Sequence, residues 1–216
     1  MINVFFDMDG TLIDSANAIS CAVNEIRQDL NLAPLSREII MQTINTPNID
    51  WAKELYNIEN FHHSSFKEGY EKYFVKHYKQ SVVLFEGVKE LLEFLKNKNC
   101  FLAIATNAPQ SSLSSILKKH QIIPYFDKIL GVSLGIEPKP HPMMLELLKS
   151  EAPYKTSVFI GDSQKDKECA KNANLPYFHA KWYQKNLKEN EFNLKAFCKS
   201  IYKFFNEILV KIRNKF

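Results

Sequence analysis

The sequence predicts an α/β fold: a parallel sheet with helices on both faces, and a block of helices inserted after the first strand. Three observations predict it. Segments 2–6, 101–105, 128–132, 157–160 and 176–179 are short and largely apolar, as strands covered on both faces are. Between the later segments, apolar residues recur at helical spacing. From 15 to 79 helical periodicity runs on with no convincing strand.

The elements follow in order. After the strand at 2–6 the period changes. Ile19, Val23, Ile26 and Leu30 predict an amphipathic helix to about Leu32, stopped by Pro34. Shorter helices are expected at 36–44 and 49–57. Another is expected at 64–79, with Phe66, Tyr70, Tyr73, Phe74 and His77 near one face. Alternation then begins. Val88, Leu91, Leu92 and Leu95 mark a helix before strand 101–105. Leu113, Ile116 and Leu117 mark one before strand 128–132. Met143, Met144, Leu147 and Leu148 mark one before strand 157–160, and a helix at 164–173 precedes strand 176–179. Such alternation implies βαβ units with right-handed crossovers. The expected division is a discontinuous core, 1–14 and 82–216, with a helical insert at 15–81. Leu194, Phe197, Ile201, Phe204, Phe205, Ile208 and Ile212 predict a last helix over about 193–214, with lysines between its apolar positions. It would pack on the core or at a dimer contact; a membrane-surface or partner contact is the alternative.

Composition narrows the class. The 216 residues suit one domain with an insertion, and 45% hydrophobic residues suffice for a real core. A net charge of +4 gives no argument for nucleic-acid binding. No apolar run approaches the roughly 18–20 residues that span a bilayer. No basic segment followed by a long apolar stretch marks a secretory signal at the N-terminus. Cys21, Cys100, Cys169 and Cys198 are far apart, which fits free thiols in a reducing cytosol. A cytoplasmic monomer or homodimer, with no nucleic-acid or membrane partner, is expected.

In parallel α/β sheets, ligands bind beyond the carboxyl ends of the strands. Polar clusters fall at four such ends. Asp7 and Asp9 follow the first strand, and Thr106 and Asn107 follow 101–105. Lys139, in "EPKPHP", lies beyond 128–132. Asp162, in "FIGDSQKD", follows 157–160, with Asp166 four residues on. Each alone has a bland reading: a helix N-cap, a turn, a solvated lysine. Four in order at one sheet edge are harder to dismiss. Asp7, Asp9 and Asp162 concentrate negative charge and call for a cation. Carboxylates, water and phosphate oxygen suit Mg²⁺, and the lack of a Cys/His cluster argues against zinc. Lys139 is a point charge suited to phosphate and a neighbouring carboxylate. The Thr106 hydroxyl and the backbone N–H groups after Asp7 and Thr106 can bind phosphoryl oxygens. Together these groups form an apparatus for phosphoryl transfer.

The stretch "FDMDGTLIDS" resembles the first motif, DxDGT, of the haloacid dehalogenase superfamily. "ATNA" resembles its second, Lys139 its third and "GDSQKD" its fourth, so the resemblance covers about residues 2–180. It implies a Rossmann-like core carrying an α-helical cap, as in the phosphoglycolate phosphatase and β-phosphoglucomutase branch. It implies that Asp7 is the nucleophile and Asp9 the general acid and then base. It implies that Thr106, Asn107 and Lys139 bind the substrate's phosphoryl group. Asp7, the backbone carbonyl of Asp9, Asp162 and, directly or through water, Asp166 would hold Mg²⁺. Members that cleave carbon–halogen bonds typically lack the acid, so Asp9 points to phosphate chemistry. Gly10 would free the turn, and Asp14-Ser15 would be the hinge and helix cap leading into the insert. In the insert, Asn45 and Thr46 stand where many relatives carry a glycine. Arg37, Lys53, His62, His63 and Lys67 are candidates to meet an anionic leaving group. The expected function is a Mg²⁺-dependent phosphatase for a small phosphorylated metabolite. The alternatives are a phosphomutase and, behind it, a non-catalytic protein binding a phospho-ligand.

Overall fold

The computed structural model describes residues 1–59 and 66–180. Five parallel strands form the sheet: β1 (Asn3–Phe6), β4 (Phe101–Pro109), β5 (Lys128–Val132), β6 (Ser157–Gly161) and β7 (Tyr177–His179). Their order is β5-β4-β1-β6-β7. The chain runs outward from β1 through β4 to β5, then returns to the far side of β1 for β6 and β7. The strand order therefore reverses at β1, and a crevice opens beyond its carboxyl end.

β1 is central because every one of its side chains is buried. Val4 and Phe6 point into one cluster, with Leu91, Leu92 and Leu95 of α5 (Val88–Asn97) and Leu113 and Leu117 of α6 (Gln110–Lys119). Phe5 points the other way, against Met144, Leu145 and Leu148 of α7 (Met143–Glu151) and Cys169 and Ala170 of α8 (Gln164–Asn172). Alternate residues of one apolar strand thus feed two helix layers, as strand geometry requires.

Four helices follow β1: α1 (Ala16–Asp29), α2 (Arg37–Asn45), α3 (Trp51–Tyr56) and α4 (Phe66–Ser81). They have a core of their own. Ile19, Val23, Ile26, Ile40, Leu55 and Tyr56 are buried together, with Tyr73, Phe74 and Tyr78 packed against them. α1 ends before the expected Leu32. Asn31 turns the chain with a φ of 54°, so a left-handed asparagine stops the helix ahead of Pro34. Ser36 caps α2 and Asp50 caps α3 through side-chain bonds to the backbone of Ile39 and Lys53. Ser15 stands at the N-cap of α1 but makes no such bond.

Two short strands join the helical block to the sheet. β2 (Ile13–Asp14) pairs antiparallel with β3 (Val83–Leu84), Ile13 opposite Leu84 and Asp14 opposite Val83. Asp14 therefore lies in a two-stranded ribbon where the chain leaves the sheet and returns. The expected strand at 101–105 runs on to Pro109, with its pairing to β5 irregular between Ala105 and Pro109. Thr106 and Asn107 sit in that irregular stretch. The expected helix at 193–214, Cys198, His62 and His63 lie outside the described residues. Among the described residues, no helix is long and apolar enough to cross a membrane.

Leu92 is fully buried in the α5 layer behind β1. Leu92→Ala should lower stability by about 2–5 kcal/mol, the usual cost of such a cavity. Thermal denaturation measures it, and a melting temperature within a degree of the parent would contradict the packing described.

Candidate active site

The site begins where β1 stops. The Asp7 amide donates to the Ile160 carbonyl at 2.8 Å, the last rung between β1 and the strand beside it. The chain then turns tightly. The Met8 carbonyl accepts from the amides of Thr11, Leu12 and Ile13, and Gly10 adopts a φ of +80°. That glycine is required for space as well as conformation. A Cβ there would lie 2.2 Å from Asp162 Oδ2. Gly161 serves Asp166 likewise, since a Cβ there would lie 2.5 Å from that of Asp166.

Lys139 ties the strand ends together. Its Nζ donates to Asp7 Oδ1 at 2.5 Å and to Asp166 Oδ1 at 2.6 Å. All three side chains are under 10% exposed. The loop bearing Lys139 is clamped from β4. The Asn107 amide nitrogen donates to the Lys139 carbonyl at 2.9 Å, and its oxygen accepts from the Lys139 amide at 2.7 Å. Thr106 is buried beside it, its hydroxyl accepting from the Ala108 amide at 3.2 Å.

The fourth strand end is ordered by a capping box. Ser163 Oγ accepts from the Asp166 amide, while Asp166 Oδ2 accepts from the Ser163 amide at 3.0 Å and hydroxyl at 2.6 Å. Asp166 thus caps α8 with one oxygen and holds Lys139 with the other. Thr11 Oγ1 lies between two carboxylates, 3.5 Å from Asp7 Oδ2 and 3.3 Å from Asp162 Oδ1. Tyr177 of β7 braces the same loop, its hydroxyl reaching the carbonyl of Gly161 at 2.8 Å and of Ser163 at 3.3 Å.

Carboxylate oxygens of Asp7, Asp162 and Asp166 lie within 4.8 Å of one another. Three acidic groups therefore share one ammonium. Burial drives the Asp7 carboxyl well above its usual range; Lys139 opposes this, and Asp166, Asp162 and Asp9 add to it. Burial and the Asp166 charge push Asp162 up to about 7. Burial works against the Lys139 ammonium, but Asp166 and Asp7 more than reverse it and hold the lysine well above its ordinary value. The two negative charges left over are what a divalent cation would neutralise.

Asp9 stands apart. Its carboxylate is not one of the three. Its Oδ1 accepts from the Tyr78 hydroxyl of α4 at 2.7 Å. Burial raises the Asp9 carboxyl, with Tyr78, Ser15 and Lys139 opposing. Burial and the Asp9 charge hold Tyr78 well above its usual value, so the phenol keeps its proton. Ser15 Oγ is close enough to ease the charge on Asp9, yet it is buried with no partner in hydrogen-bond geometry.

The structure thus gathers Asp7, Lys139, Asp162 and Asp166 into one cluster, with Thr106 and Asn107 beside it and Asp9 turned toward the helical block. Thr11 and Tyr78 join them without having been singled out from the sequence. Thr11 is inside the first motif and could have been; Tyr78 lies in an aromatic-rich helix where it reads as core.

The family model for haloacid dehalogenase-like hydrolases matches residues 4–180. The chain belongs to that family. Within it, the chain is 29% identical over 192 residues to a phosphoglycolate phosphatase of Vibrio parahaemolyticus, the match covering 81% of each protein. A predicted phosphoglycolate phosphatase from Haemophilus somnus superposes with a TM-score of 0.70 at 29% identity, over 82% of this chain and 84% of that one. A Thermotoga maritima protein provisionally assigned as a β-phosphoglucomutase superposes with a TM-score of 0.62 at 25% identity, over 83% and 85%.

The raised Asp162 carboxyl fixes a pH dependence. Its folded value, about 7, lies above the ordinary carboxyl value near ~4. The folded state therefore binds this proton more tightly than the unfolded state does. Stability from this group is fully present below pH ~4 and is lost as pH rises through about 7. Without metal, Asp162→Asn should melt about 2–4 °C higher than the parent at pH 8, with the gap closing near pH 4. Melting curves across that range check it. A gap of either sign that ignores pH would contradict the raised carboxyl.

Proposed function

We propose that this chain is a Mg²⁺-dependent phosphatase that hydrolyses small phosphomonoesters through an aspartyl-phosphate on Asp7. The observation that carries the reading is the separation of the two first-motif aspartates. Asp7 lies against Lys139 in the acidic cluster, and Asp9 lies off it, on Tyr78. A nucleophile must be ionised and a general acid must be able to hold a proton. Burial raises both carboxyls, but Asp7 has the Lys139 ammonium against it and would have a cation beside it, which favour its charged form, whereas Asp9 lies off that cluster. The phosphatase relatives support the same reading.

The Asp7 and Asp162 carboxylates and the Asp9 carbonyl would hold Mg²⁺, with Asp166 completing the acidic set. When bound, the ion offsets charge on Asp7 and on the phosphoryl oxygens. A free Asp7 oxygen attacks phosphorus while Asp9 gives its proton to the departing oxygen. Asp9 then takes a proton from the water that attacks the aspartyl-phosphate, and Asp7 is released. Two of the three Lys139 N–H bonds reach carboxylates, leaving one for a phosphoryl oxygen. Thr106 offers its hydroxyl to another. Asn107 is assigned to positioning Lys139, because both ends of its amide are engaged by the Lys139 backbone. The block α1–α4 is assigned as a cap that closes on the substrate, and the free thiols of Cys21, Cys100 and Cys169 suit a reducing cytosol.

A phosphomutase is the second reading, favoured by the likeness to the Thermotoga protein. The two differ in product. The phosphatase should release one inorganic phosphate per turnover from a panel including phosphoglycolate, sugar phosphates and nucleotides. Interconversion of sugar phosphates without net release would support the mutase instead.

Asp7→Asn should lower kcat by at least ~10³-fold on the best ester while the protein remains folded by circular dichroism. Retained turnover would defeat the covalent mechanism. Activity should vanish with EDTA and return on adding excess Mg²⁺; turnover indifferent to chelation would contradict the assignment of the acidic set to a metal.

A further inference from the structure

Tyr78 is held firmly at the end of α4, three residues before Ser81. Its ring packs against both the sheet cluster and the core of the helical block, with Phe74 at 6.1 Å between centroids. Its backbone is tied to the sheet's own helices. Lys119 Nζ, at the end of α6, donates to the Lys79 carbonyl at 2.8 Å and to the Tyr78 carbonyl at 3.4 Å. Those carbonyls belong to the last turn of α4, where the helix cannot satisfy them itself. The phenol is thus fixed relative to the sheet as well as to the helical block.

The phenol donates to the Asp9 carboxylate at 2.7 Å, in full hydrogen-bond geometry, while the nearby Ser15 Oγ eases the same charge without reaching that geometry. The Lys139 ammonium also favours the Asp9 charge, though less than the phenol does. A carboxylate free to turn would swing toward the ammonium and join the acidic set. We propose that Tyr78 is a positioning residue for Asp9: its hydroxyl holds the carboxylate on the leaving-group side of the site, and Lys119 fixes the helix end that carries it. The role rests on the phosphatase reading, because an acid on that side needs a leaving oxygen to protonate. With Oδ1 on Tyr78, Oδ2 is left for that oxygen.

The test compares Tyr78→Phe with the parent in the full chain, using two esters. The departing group of p-nitrophenyl phosphate needs little protonation, whereas an alkyl phosphate loses an alkoxide and depends on the acid. kcat/KM reports events up to formation of the aspartyl-phosphate, where the leaving group departs. It should fall about tenfold for the alkyl ester and less than about threefold for the aryl ester. An equal loss on both, or no loss, overturns the proposal. Lys119→Ala, an exposed substitution outside the site, should shift the same ratio in the same direction by a smaller factor; an unchanged ratio removes Lys119 from the proposal. A crystal structure of metal-free Tyr78→Phe gives a readout that needs no turnover. Asp9 should leave its place and turn toward Lys139; an unmoved Asp9 overturns the proposal. If the parent itself hydrolyses no ester, the phosphatase reading fails, and the crystal structure still decides whether Tyr78 positions Asp9.

Discussion

The ammonium of Lys139, buried between Asp7 and Asp166, is the interaction on which the rest of the structure depends. Removing one member of a buried ion pair typically costs about 3–5 kcal/mol, because it strands the other charge. Here three strand ends meet at one nitrogen. Asp7 comes from the end of β1, Lys139 from the loop after β5, and Asp166 from the helix after β6. The rest follows from bringing them that close. Gly10 and Gly161 are required because a Cβ at either would strike the carboxylates. The Asn107 clamp is required because the lysine comes from a loop with no regular pairing of its own.

The same ammonium is too little. One ammonium is bonded within the cluster of three carboxylates, and burial together with their mutual repulsion raises Asp7 and Asp162. A structure built only for stability would more simply bury apolar side chains of the same volume. The surplus negative charge is understandable if a cation completes the site and if one carboxylate is to act as a nucleophile. Fold and chemistry are linked here through electrostatic strain that is local, directional and placed at the crevice the strand order creates.

Much of this was legible in the sequence, for a physical reason. Strands buried on both faces are nearly uniform in hydrophobicity, so a charged residue one or two positions beyond such a run stands out. Asp7 and Asp162 could be read that way; Lys139 and Asp166, farther from their strands, were read from their place in the ordered motifs, and strand and helix periods gave the layers around them. What could not be read depends on contacts between distant segments. Tyr78 lies 69 positions from Asp9, and nothing local distinguishes it from Tyr73 or Phe74. The ribbon of β2 and β3 is too short to have a period. Asn107 looked like a turn residue near a phosphate site, but its amide is directed at a peptide 32 positions away. Pro34 looked like the end of α1, but Asn31, whose side chain tolerates the left-handed region, ends it first.

The position of the helical block follows from these long-range contacts. The chain leaves the sheet at Asp14 and returns at Val83, and those residues are paired. The ribbon, the Lys119 bonds to the end of α4 and the Tyr78–Asp9 bond together join the block to the sheet. The end of α4 lies next to that ribbon and carries Tyr78. If the block is a cap, selection would fall to its helices and the chemistry to the strand ends, and Tyr78, bonded to Asp9 from the end of α4, lies where the two meet.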